Sequence, residues 1–198
     1  PSNPAFINNV DKQICELTQL PKEWFEGKNV IDVGCGIGRY SYGLLSLGAH
    51  VTSCDQSLSA LQRVKDLCAP FKNRSETMTI NLLNDTLPKE QYDLAWCFGV
   101  VHHTGNTYLA IKNVCNAVKN GGKVFFMIYG FPENTDDFIE LNAYDYLRTQ
   151  LHALPFETKK KKLENQFSKE LVHGWFDAVS PEINDLLSYQ EAVSFLNS

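Results

Sequence analysis

The sequence predicts an α/β fold built on a doubly wound, mostly parallel sheet. Short apolar segments of strand type alternate with segments whose apolar residues recur every three to four positions. Such alternation of strands and helices gives a parallel sheet with helices on both faces. A glycine turn follows the first apolar segment, and a carboxylate ends the second. The chain has 198 residues, which is the length of one such domain.

The first two strands carry the most informative residues. Residues 30–33 are an apolar run that ends in three glycines spaced two apart, Gly34, Gly36 and Gly38. Glycine lets the chain turn sharply and lets a ligand approach the backbone. A second β-rich run, residues 50–55, ends in an aspartate. A strand, a glycine turn and a helix make the first half of a βαβ unit, which presents backbone N–H groups to a ligand.

Three further strands are predicted over residues 78–82, 92–101 and 123–129. The fourth strand is apolar almost throughout, as in a strand that is buried on both faces. The apolar spacing predicts helices over residues 10–20, 40–47, 57–67, 107–118, 136–151, 159–171 and 188–196. The last helix begins with Ser188 and has Glu191 three residues later, the pattern of a capping box.

The carboxyl ends of parallel strands are where an open sheet binds its ligands. Asp55 lies there, 19 residues after Gly36. A carboxylate at the end of the second strand accepts hydrogen bonds from both hydroxyls of a ribose. Taken singly, the glycine turn is a plain strand-to-helix connection and Asp55 is a helix N-cap. Together, at this spacing, they indicate a cofactor of adenosine type.

The glycine spacing separates two classes of cofactor. A dinucleotide fingerprint reads G-x-G-x-x-G. Here the third glycine, Gly38, comes one position early, and Arg39 stands where the fingerprint has glycine. Pyrophosphate binding prefers that third glycine because it allows close helix packing. The spacing therefore disfavours a nicotinamide-dependent dehydrogenase.

Four motifs resemble those of the class I S-adenosylmethionine-dependent methyltransferases. Residues 30–38, VIDVGCGIG, resemble their motif I. Residues 48–57, GAHVTSCDQS, resemble the GA-x-V-T-x-x-D-x-S stretch of small-molecule members such as the quinone-biosynthesis O-methyltransferases. Residues 92–104 resemble the fourth motif, in which an FD-L run ends in V-L-H-H, and residues 120–123 resemble the x-G-G turn before strand five. The resemblance covers residues 20–130 and implies a Rossmann-like fold.

The resemblance also implies the cofactor S-adenosyl-L-methionine, which becomes S-adenosyl-L-homocysteine. The glycine turn would lie against the methionine part, Asp32 would order that turn, and Asp55 would bind the ribose. Asn81 would contact the adenine amino group, where family members often have Asp, and residues 84–85 are an alternative register for that contact. The implied cofactor-binding set is Asp32, Gly34, Cys35, Gly36, Gly38, Arg39, Asp55, Gln56, Asn81, Leu82, Phe98, Gly99 and His103.

Two histidines at the end of the fourth strand, His102 and His103, are the candidate general bases. A neutral imidazole near pH 7 suits proton removal from a hydroxyl or amine acceptor. The alternative is that one packs against the following helix and the other holds the cofactor. His173 is a further candidate. The residues proposed to contact the acceptor are Tyr129, Tyr144, His173 and Trp175.

The sequence divides into four parts around this site. Residues 1–27 are an N-terminal arm and helix, residues 28–130 the cofactor-binding core, residues 131–180 a helical lid and residues 181–198 a C-terminal helical part. Members of the resembled family usually end with two more strands, which we do not find here. We therefore expect either that the native chain continues past residue 198 or that the arm, the lid or another chain covers the edge of strand five.

Composition narrows the class of partner. A formal net charge of −5 disfavours a general nucleic-acid binder. The six cysteines lack the spacings of zinc sites, so no metal is expected, and no apolar run approaches membrane-spanning length. The sequence thus predicts a cytoplasmic methyltransferase acting on a small molecule, without nucleic acid or membrane as partner.

Two alternatives to a small-molecule methyltransferase stay open at this point. The domain acts on RNA or protein, or it is a non-catalytic S-adenosylmethionine-binding module of a larger protein. A homodimer or further domains are compatible with either reading.

Overall fold

Within the residues that the structure describes, five parallel strands form one sheet: β1 (Asn29–Val33), β2 (His50–Asp55), β3 (Ser75–Thr79), β4 (Tyr92–Phe98) and β5 (Val118–Met127). Their order is β3-β2-β1-β4-β5. The structure, a computed structural model, describes residues 7–168, 172, 175–176 and 178–196. The order reverses direction beside β1, where the chain switches from one half of the sheet to the other. The predicted doubly wound α/β fold is confirmed.

Two strands differ in position from their predictions. β3 lies at residues 75–79 instead of 78–82, and Val51 of β2 pairs with Ser75. β3 is an edge strand of the described sheet, and its sequence, SETMT, is polar and half-exposed. A prediction from apolar runs therefore placed this strand three residues too late. β5 begins at Val118 instead of residue 123, and its pairing with β4 is irregular between residues 118 and 123.

The irregularity in β5 explains the paired glycines of the x-G-G turn, Gly121 and Gly122. Gly121 has a φ of +77°, which glycine adopts without strain. A Cβ added at Gly122 would lie 2.4 Å from Cγ1 of Val118 and 3.1 Å from the carbonyl oxygen of Asp93. The two glycines therefore form a bulge within β5, and the helix ends earlier, at Asn116.

Four helices belong to the first of two compact units, residues 1–128: α1 (Val10–Thr18), α2 (Arg39–Ser46), α3 (Leu58–Leu67) and α4 (Thr107–Asn116). Short 3-10 turns lie at Lys22–Phe25, Ala69–Phe71 and Val101–His103. Helices α3 and α4 begin at side-chain caps, since Ser57 accepts from the N–H of Ala60 and Asn106 from that of Leu109. All four helices start within one or two residues of their predictions.

The core of the first unit lies between the sheet and helices α1 to α3. Val10 and Ile14 of α1 pack over Gly43 of α2, where an added Cβ would meet Cγ1 of Val10 at 2.5 Å. Trp96 of β4 is fully buried, and its ring stacks on Phe125 with centroids 4.2 Å apart. Burying such aromatic surface contributes more to stability than any single polar contact.

In the second unit, residues 129–198, the regular secondary structure among the described residues is helical, and loops connect the helices. Its helices are α5 (Thr135–Leu151), α6 (Phe156–Gln166) and α7 (Tyr189–Leu196). Leu151, Leu163 and Val179 form its small core. The predicted capping box is confirmed, because Glu191 accepts from the N–H of Ser188 while Ser188 accepts from that of Glu191. No helix in the described part of the chain is long and apolar enough to cross a bilayer.

Candidate cofactor site

A cleft of about 270 Å³ opens at the carboxyl ends of β1, β2 and β4. Parallel strands bring their carboxyl ends to one edge of the sheet, and this is the edge where open sheets bind ligands. All the lining residues lie in the first unit. They are Gly34, Asp55, Gln56, Ile80, Asn81, Leu82, Leu83, Gly99, Val100, His103 and Thr104.

The glycine turn forms the floor of the cleft between β1 and α2. Gly34 has a φ of +68°, and an added Cβ would lie 2.3 Å from Cγ2 of Val100. Only glycine therefore lets Val100 close against the turn. Gly36 has nothing within 4 Å of an added Cβ, so its backbone faces open space. Gly38, with a φ of +90°, precedes the first residue of α2.

Backbone hydrogen bonds hold this turn in shape. The N–H groups of Gly34 and Cys35 both donate to the carbonyl oxygen of Cys54, at 2.8 and 3.0 Å, and the N–H of Gly38 donates to the carbonyl oxygen of Cys35 at 2.9 Å. The turn is thus fastened to the end of β2 by the protein itself. Four of its N–H groups, including that of Gly36, are used in these internal bonds.

Asp55 joins the two halves of the cleft. Its Oδ2 accepts from the N–H of Gly36 at 3.0 Å, and its Oδ1 accepts from the N–H of Ser57 at 2.8 Å, at the start of α3. Each carboxylate oxygen can accept a second hydrogen bond. The carboxylate is therefore fixed in position while it keeps acceptor capacity toward the cleft.

Asp32 lies beneath the floor of the cleft and does not line it. Its side chain is 2% exposed, and its Oδ2 accepts from the hydroxyl of Ser41 at 2.6 Å. The hydroxyl of Ser53 donates in turn to Ser41 at 2.8 Å. Burial raises the pKa of Asp32 to about 7, although the hydrogen bond from Ser41 acts in the opposite direction. Three buried polar groups thus connect β1, α2 and β2 below the turn.

The loop after β3 forms the wall of the cleft opposite the glycine turn. Oδ1 of Asn81 accepts from the N–H groups of Leu83 and Asn84, at 3.0 and 3.3 Å. Asp85 accepts from the N–H of Asn81 at 2.8 Å. The oxygen that was expected to read an adenine amino group is therefore already used to shape the loop.

A buried side chain from α4 fixes the same loop. Asn113 donates from Nδ2 to the carbonyl oxygens of Leu82, at 3.1 Å, and Asp85, at 2.7 Å. Its Oδ1 accepts from the N–H of Leu87 at 3.0 Å. These bonds use both amide donors and the amide oxygen, so the loop conformation depends on one residue of a neighbouring helix.

The structure separates the two candidate bases. His103 lines the cleft, whereas His102 is fully buried below it, with the two ring centroids 4.1 Å apart. Burial, and to a lesser extent the neighbouring His103, lower the pKa of His102 to about 3. His102 is thus neutral near pH 7, and of the two only His103 reaches the cleft surface.

Five other residues of the implied cofactor-binding set, all in the described part of the chain, lie outside the cleft lining. Gly36 and Gly38 contribute through the backbone of the turn, and burial raises the pKa of the Cys35 thiol, which therefore stays protonated. Arg39 donates from Nη2 to Gln13 of α1 at 3.1 Å. Phe98 packs against the ring of Tyr40, with centroids 4.8 Å apart.

The residues proposed to contact the acceptor belong to the second unit. The ring of Trp175 contacts Tyr144, at 4.5 Å between centroids, and stacks on Phe167 at 4.2 Å. The hydroxyl of Tyr144 donates to Glu140 of the same helix. Tyr129 begins this unit, and its carbonyl oxygen accepts from the N–H of Leu187 at 3.1 Å. His173 lies outside the described residues.

Sequence reasoning gave no role to four residues of the cleft lining, Ile80, Leu83, Val100 and Thr104. Their position in the sequence could have indicated them, because each is adjacent to a residue that was predicted to bind the cofactor. Asn113 carried no such signal. It is an Asn within an amphipathic helix, and its function depends on a loop 26 to 31 residues earlier in the chain.

Comparison with known proteins agrees with this geometry. Residues 31–126 match the family described as "Methyltransferase domain". The Ubiquinone biosynthesis O-methyltransferase of Coxiella burnetii is 30% identical over 131 residues, which cover 63% of this chain and 49% of the relative. The protein of the same name from Nitrosomonas europaea is 32% identical over 126 residues, covering 63% of this chain and 50% of the relative. The chain thus spans about half the length of these curated relatives.

Solved structures share the fold. An S-adenosylmethionine dependent methyltransferase from Mesorhizobium loti aligns with a TM-score of 0.51 and 23% identity, covering 61% of this chain and 54% of the other. The YcgJ protein of Bacillus subtilis aligns with a TM-score of 0.56 and 15% identity, covering 71% of this chain and 58% of the other. Residues 31–126, just under half of the chain, thus match the methyltransferase domain family, and the fold is the Rossmann-like fold of the class I S-adenosylmethionine-dependent methyltransferases.

Proposed function

We propose that the protein transfers a methyl group from S-adenosylmethionine to a small-molecule acceptor by in-line displacement. The observation that carries the proposal is Asp55, a carboxylate held by the N–H of Gly36 at the edge of a cleft whose floor is a glycine turn. When bound, the cofactor supplies a methyl group on a sulfonium. The uncharged thioether that remains after transfer is a good leaving group. The protein's task is then mainly alignment, and well-oriented reactants lower a barrier by roughly 7–11 kcal/mol.

The hydrogen bonding of the turn supports a methionine moiety over a pyrophosphate. A pyrophosphate site needs backbone N–H groups that point at the ligand. Here the N–H groups of Gly34, Cys35, Gly36 and Gly38 are used by Cys54, Asp55 and Cys35. An uncharged thioether or a sulfonium chain needs no such donors, and the open space at Gly36 lets it approach the backbone.

The opposite side of the cleft fits the adenosine part. Asp55 keeps acceptor capacity for the ribose hydroxyls, and the exposed Gln56 lies next to it. Ile80, Leu82 and Leu83 give the cleft an apolar wall suited to the face of a purine. We assign Asn81 a structural role in that wall, with the base held by apolar contact and by the backbone of the loop.

His103 is the group in the cleft that can take a proton from the acceptor. It lies in the 3-10 turn after β4 and lines the cleft together with Gly99 and Val100, and Val100 lies against Gly34 of the glycine turn. A hydroxyl acceptor loses its proton as the new bond to carbon forms. A ring nitrogen of His103 would accept that proton, since a neutral imidazole is a suitable general base near pH 7.

The acceptor class rests on the relatives and on charge. Two curated relatives are named as O-methyltransferases of ubiquinone biosynthesis, so we propose a hydroxyl group on a small, partly apolar molecule. The formal charge of −5 disfavours RNA, which proteins bind through basic surfaces. The second candidate function is a module that binds the cofactor without catalysis, and it differs from the first only in turnover.

Substitution at Asp55 tests the cofactor assignment. In calorimetry with S-adenosylhomocysteine, we expect Asp55→Asn to weaken binding by roughly 10- to 100-fold, since a hydrogen bond to a charged group contributes about 1.5–3 kcal/mol. Asp66→Asn is the matched control, because Asp66 is an exposed carboxylate of α3 that accepts a hydrogen bond from Gln62 at 3.2 Å. NAD serves as the competing ligand. Tight binding of NAD, or unchanged binding by Asp55→Asn, would contradict the proposal.

Turnover then separates the enzyme from the non-catalytic module. The purified protein is incubated with S-adenosylmethionine and fractionated metabolite extracts, and S-adenosylhomocysteine is measured. An acceptor-dependent product supports the enzyme, and fragmentation of that product in mass spectrometry locates the methyl group. Cofactor binding without product in any fraction supports the module.

A further inference from the structure

The buried carboxyl of Asp32 is the one part of the site that the proposed function leaves without a task. It lies two residues before Gly34, which lines the cleft, and it interacts electrostatically with Asp55, which also lines the cleft. It is 2% exposed, and a chain of two serine hydroxyls reaches it from α2 and β2. A buried carboxyl normally has a cationic partner, because an isolated buried charge is costly.

Among the residues that the structure describes, no cation interacts with this carboxyl. Several ionisable groups around Asp32 interact with it electrostatically. All of them are acids, thiols or a phenol. They are Cys35, Tyr40, Cys54, Asp55, Cys68 and Cys97. The nearest arginine in the sequence, Arg39, donates to Gln13 and lies over the ring of Tyr40. The missing positive charge must therefore come from elsewhere or be replaced by a proton.

We propose that Asp32 makes the cleft distinguish adenosyl ligands by the charge at their sulfur position: it ionises more readily when that position is cationic than when it is uncharged. The inference rests on the proposed function, because the two ligands are then the sulfonium cofactor and its thioether product. Through the low dielectric of the interior, a cation in the cleft stabilises the carboxylate, whereas a thioether does not.

The proton balance follows from this assignment. Binding of the cation releases a proton from Oδ1 or Oδ2 of Asp32 to solvent. After the methyl group has left, the sulfur is uncharged, and the carboxylate takes a proton back from solvent. Burial places the pKa of Asp32 at about 7, so both protonation states are within reach at neutral pH. An ionised Asp32 thus favours binding of the cofactor over binding of the product.

Calorimetry with two unreactive ligands tests the inference. Sinefungin carries a protonated amine where the cofactor has its sulfonium, and S-adenosylhomocysteine is uncharged at that position. We expect the ratio of the two Kd values to shift toward sinefungin by about tenfold between about pH 6 and about pH 8. Measurement near pH 7 in two buffers of different ionisation enthalpy should show proton release for sinefungin and not for S-adenosylhomocysteine.

Two variants show whether Asp32 is the group responsible. Asp32→Asn should bind both ligands with a ratio that no longer changes with pH. Ser41→Ala removes the hydrogen bond that lowers the pKa of Asp32, so the midpoint of the change should move to higher pH. Asp66→Asn should behave as the unchanged protein. Circular dichroism confirms that each variant is folded.

The outcomes separate this inference from the proposed function. If neither ligand binds, the proposed function fails. If both bind and the ratio is independent of pH, or Asp32→Asn keeps the full pH dependence, the role of Asp32 is overturned while the cofactor assignment stands. If Asp32→Asn does not fold, the direction of the shift in Ser41→Ala decides.

Discussion

At the scale of single residues, two buried ionisable groups lie next to the cleft and are shifted in opposite directions. Burial raises the pKa of Asp32 to about 7 and lowers that of His102 to about 3. In both cases the protein favours the neutral form, because charging a group in a low-dielectric interior is costly. Both shifts make the stability of the fold depend on pH.

Asp32 should give a clear stability signature. Because its pKa is higher in the folded state than in the unfolded state, its stabilising contribution is complete below about pH 4 and is lost as the pH rises through about 7. Relative to Asp32→Asn, the protein should lose on the order of 4 kcal/mol of unfolding free energy over that range. Urea unfolding of both proteins across the range measures the difference. A difference independent of pH would show that Asp32 does not titrate there.

His103 should affect turnover and leave cofactor binding intact. His103→Gln removes the base but keeps a polar side chain of similar size, so we expect the rate to fall by roughly 10²- to 10⁴-fold. The Kd for S-adenosylhomocysteine should change little. His50→Gln, at the exposed start of β2 on the opposite edge of the sheet, is the matched control. Full turnover in His103→Gln would exclude His103 as the base.

At the scale of elements, one wall of the cleft is a loop held by the helix next to it. Residues 80–87 follow an edge strand and lack strand pairing of their own beyond the bond from Ile80 to Asp55. Asn113 of α4 supplies three hydrogen bonds to that loop. The position of Leu82 and Leu83 in the cleft therefore depends on α4.

Asn113→Ala should loosen the wall. The change leaves an N–H and two carbonyl groups of the loop without their partner, and each such buried group costs about 1–3 kcal/mol. We expect faster amide exchange across residues 82–87 and weaker binding of S-adenosylhomocysteine. Asn116→Ala, at the exposed last residue of α4, is the control. Equal exchange in the two variants would mean that the loop holds its shape unaided.

The strands show why element positions were only partly predictable. β1, β2 and β4 were found within one to three residues, since each is an apolar run buried in the sheet. β3 is a polar edge strand, and β5 contains a glycine bulge, so local pattern misplaced the start of both. Edge position and bulging are decided by neighbouring strands and not by the sequence of the strand itself.

At the scale of the whole molecule, the cleft lies entirely within one of two compact units. A ligand that binds only the folded state stabilises it by about 2.7 kcal/mol when present at 100 times its Kd. For a chain of this size, that corresponds to a rise in Tm of roughly 5–10 °C.

A thermal-shift experiment with S-adenosylhomocysteine checks this expectation, and NAD at the same concentration is the control. Because the ligand contacts residues of the first unit, hydrogen exchange should slow at the carboxyl ends of β1, β2 and β4. An equal rise in Tm with NAD, or protection confined to residues 129–198, would argue against the site described above.

The sequence by itself determined the α/β class, the glycine turn with Asp55 as its partner, and the match to the methyltransferase domain family. These features depend on local pattern and spacing, because a strand, a turn and a cap are each specified by neighbouring residues. Seven of the implied cofactor-binding residues line the cleft as a result: Gly34, Asp55, Gln56, Asn81, Leu82, Gly99 and His103.

Only the tertiary structure decided how the remaining residues are used. It placed His102 under the cleft and His103 in it, although the two are adjacent in sequence and equal in chemistry. It turned Arg39 toward Gln13, used the side-chain oxygen of Asn81 within its own loop, and buried Asp32 among serines and acids. Burial and long-range hydrogen bonding set these roles, and both depend on contacts between segments that the sequence keeps far apart.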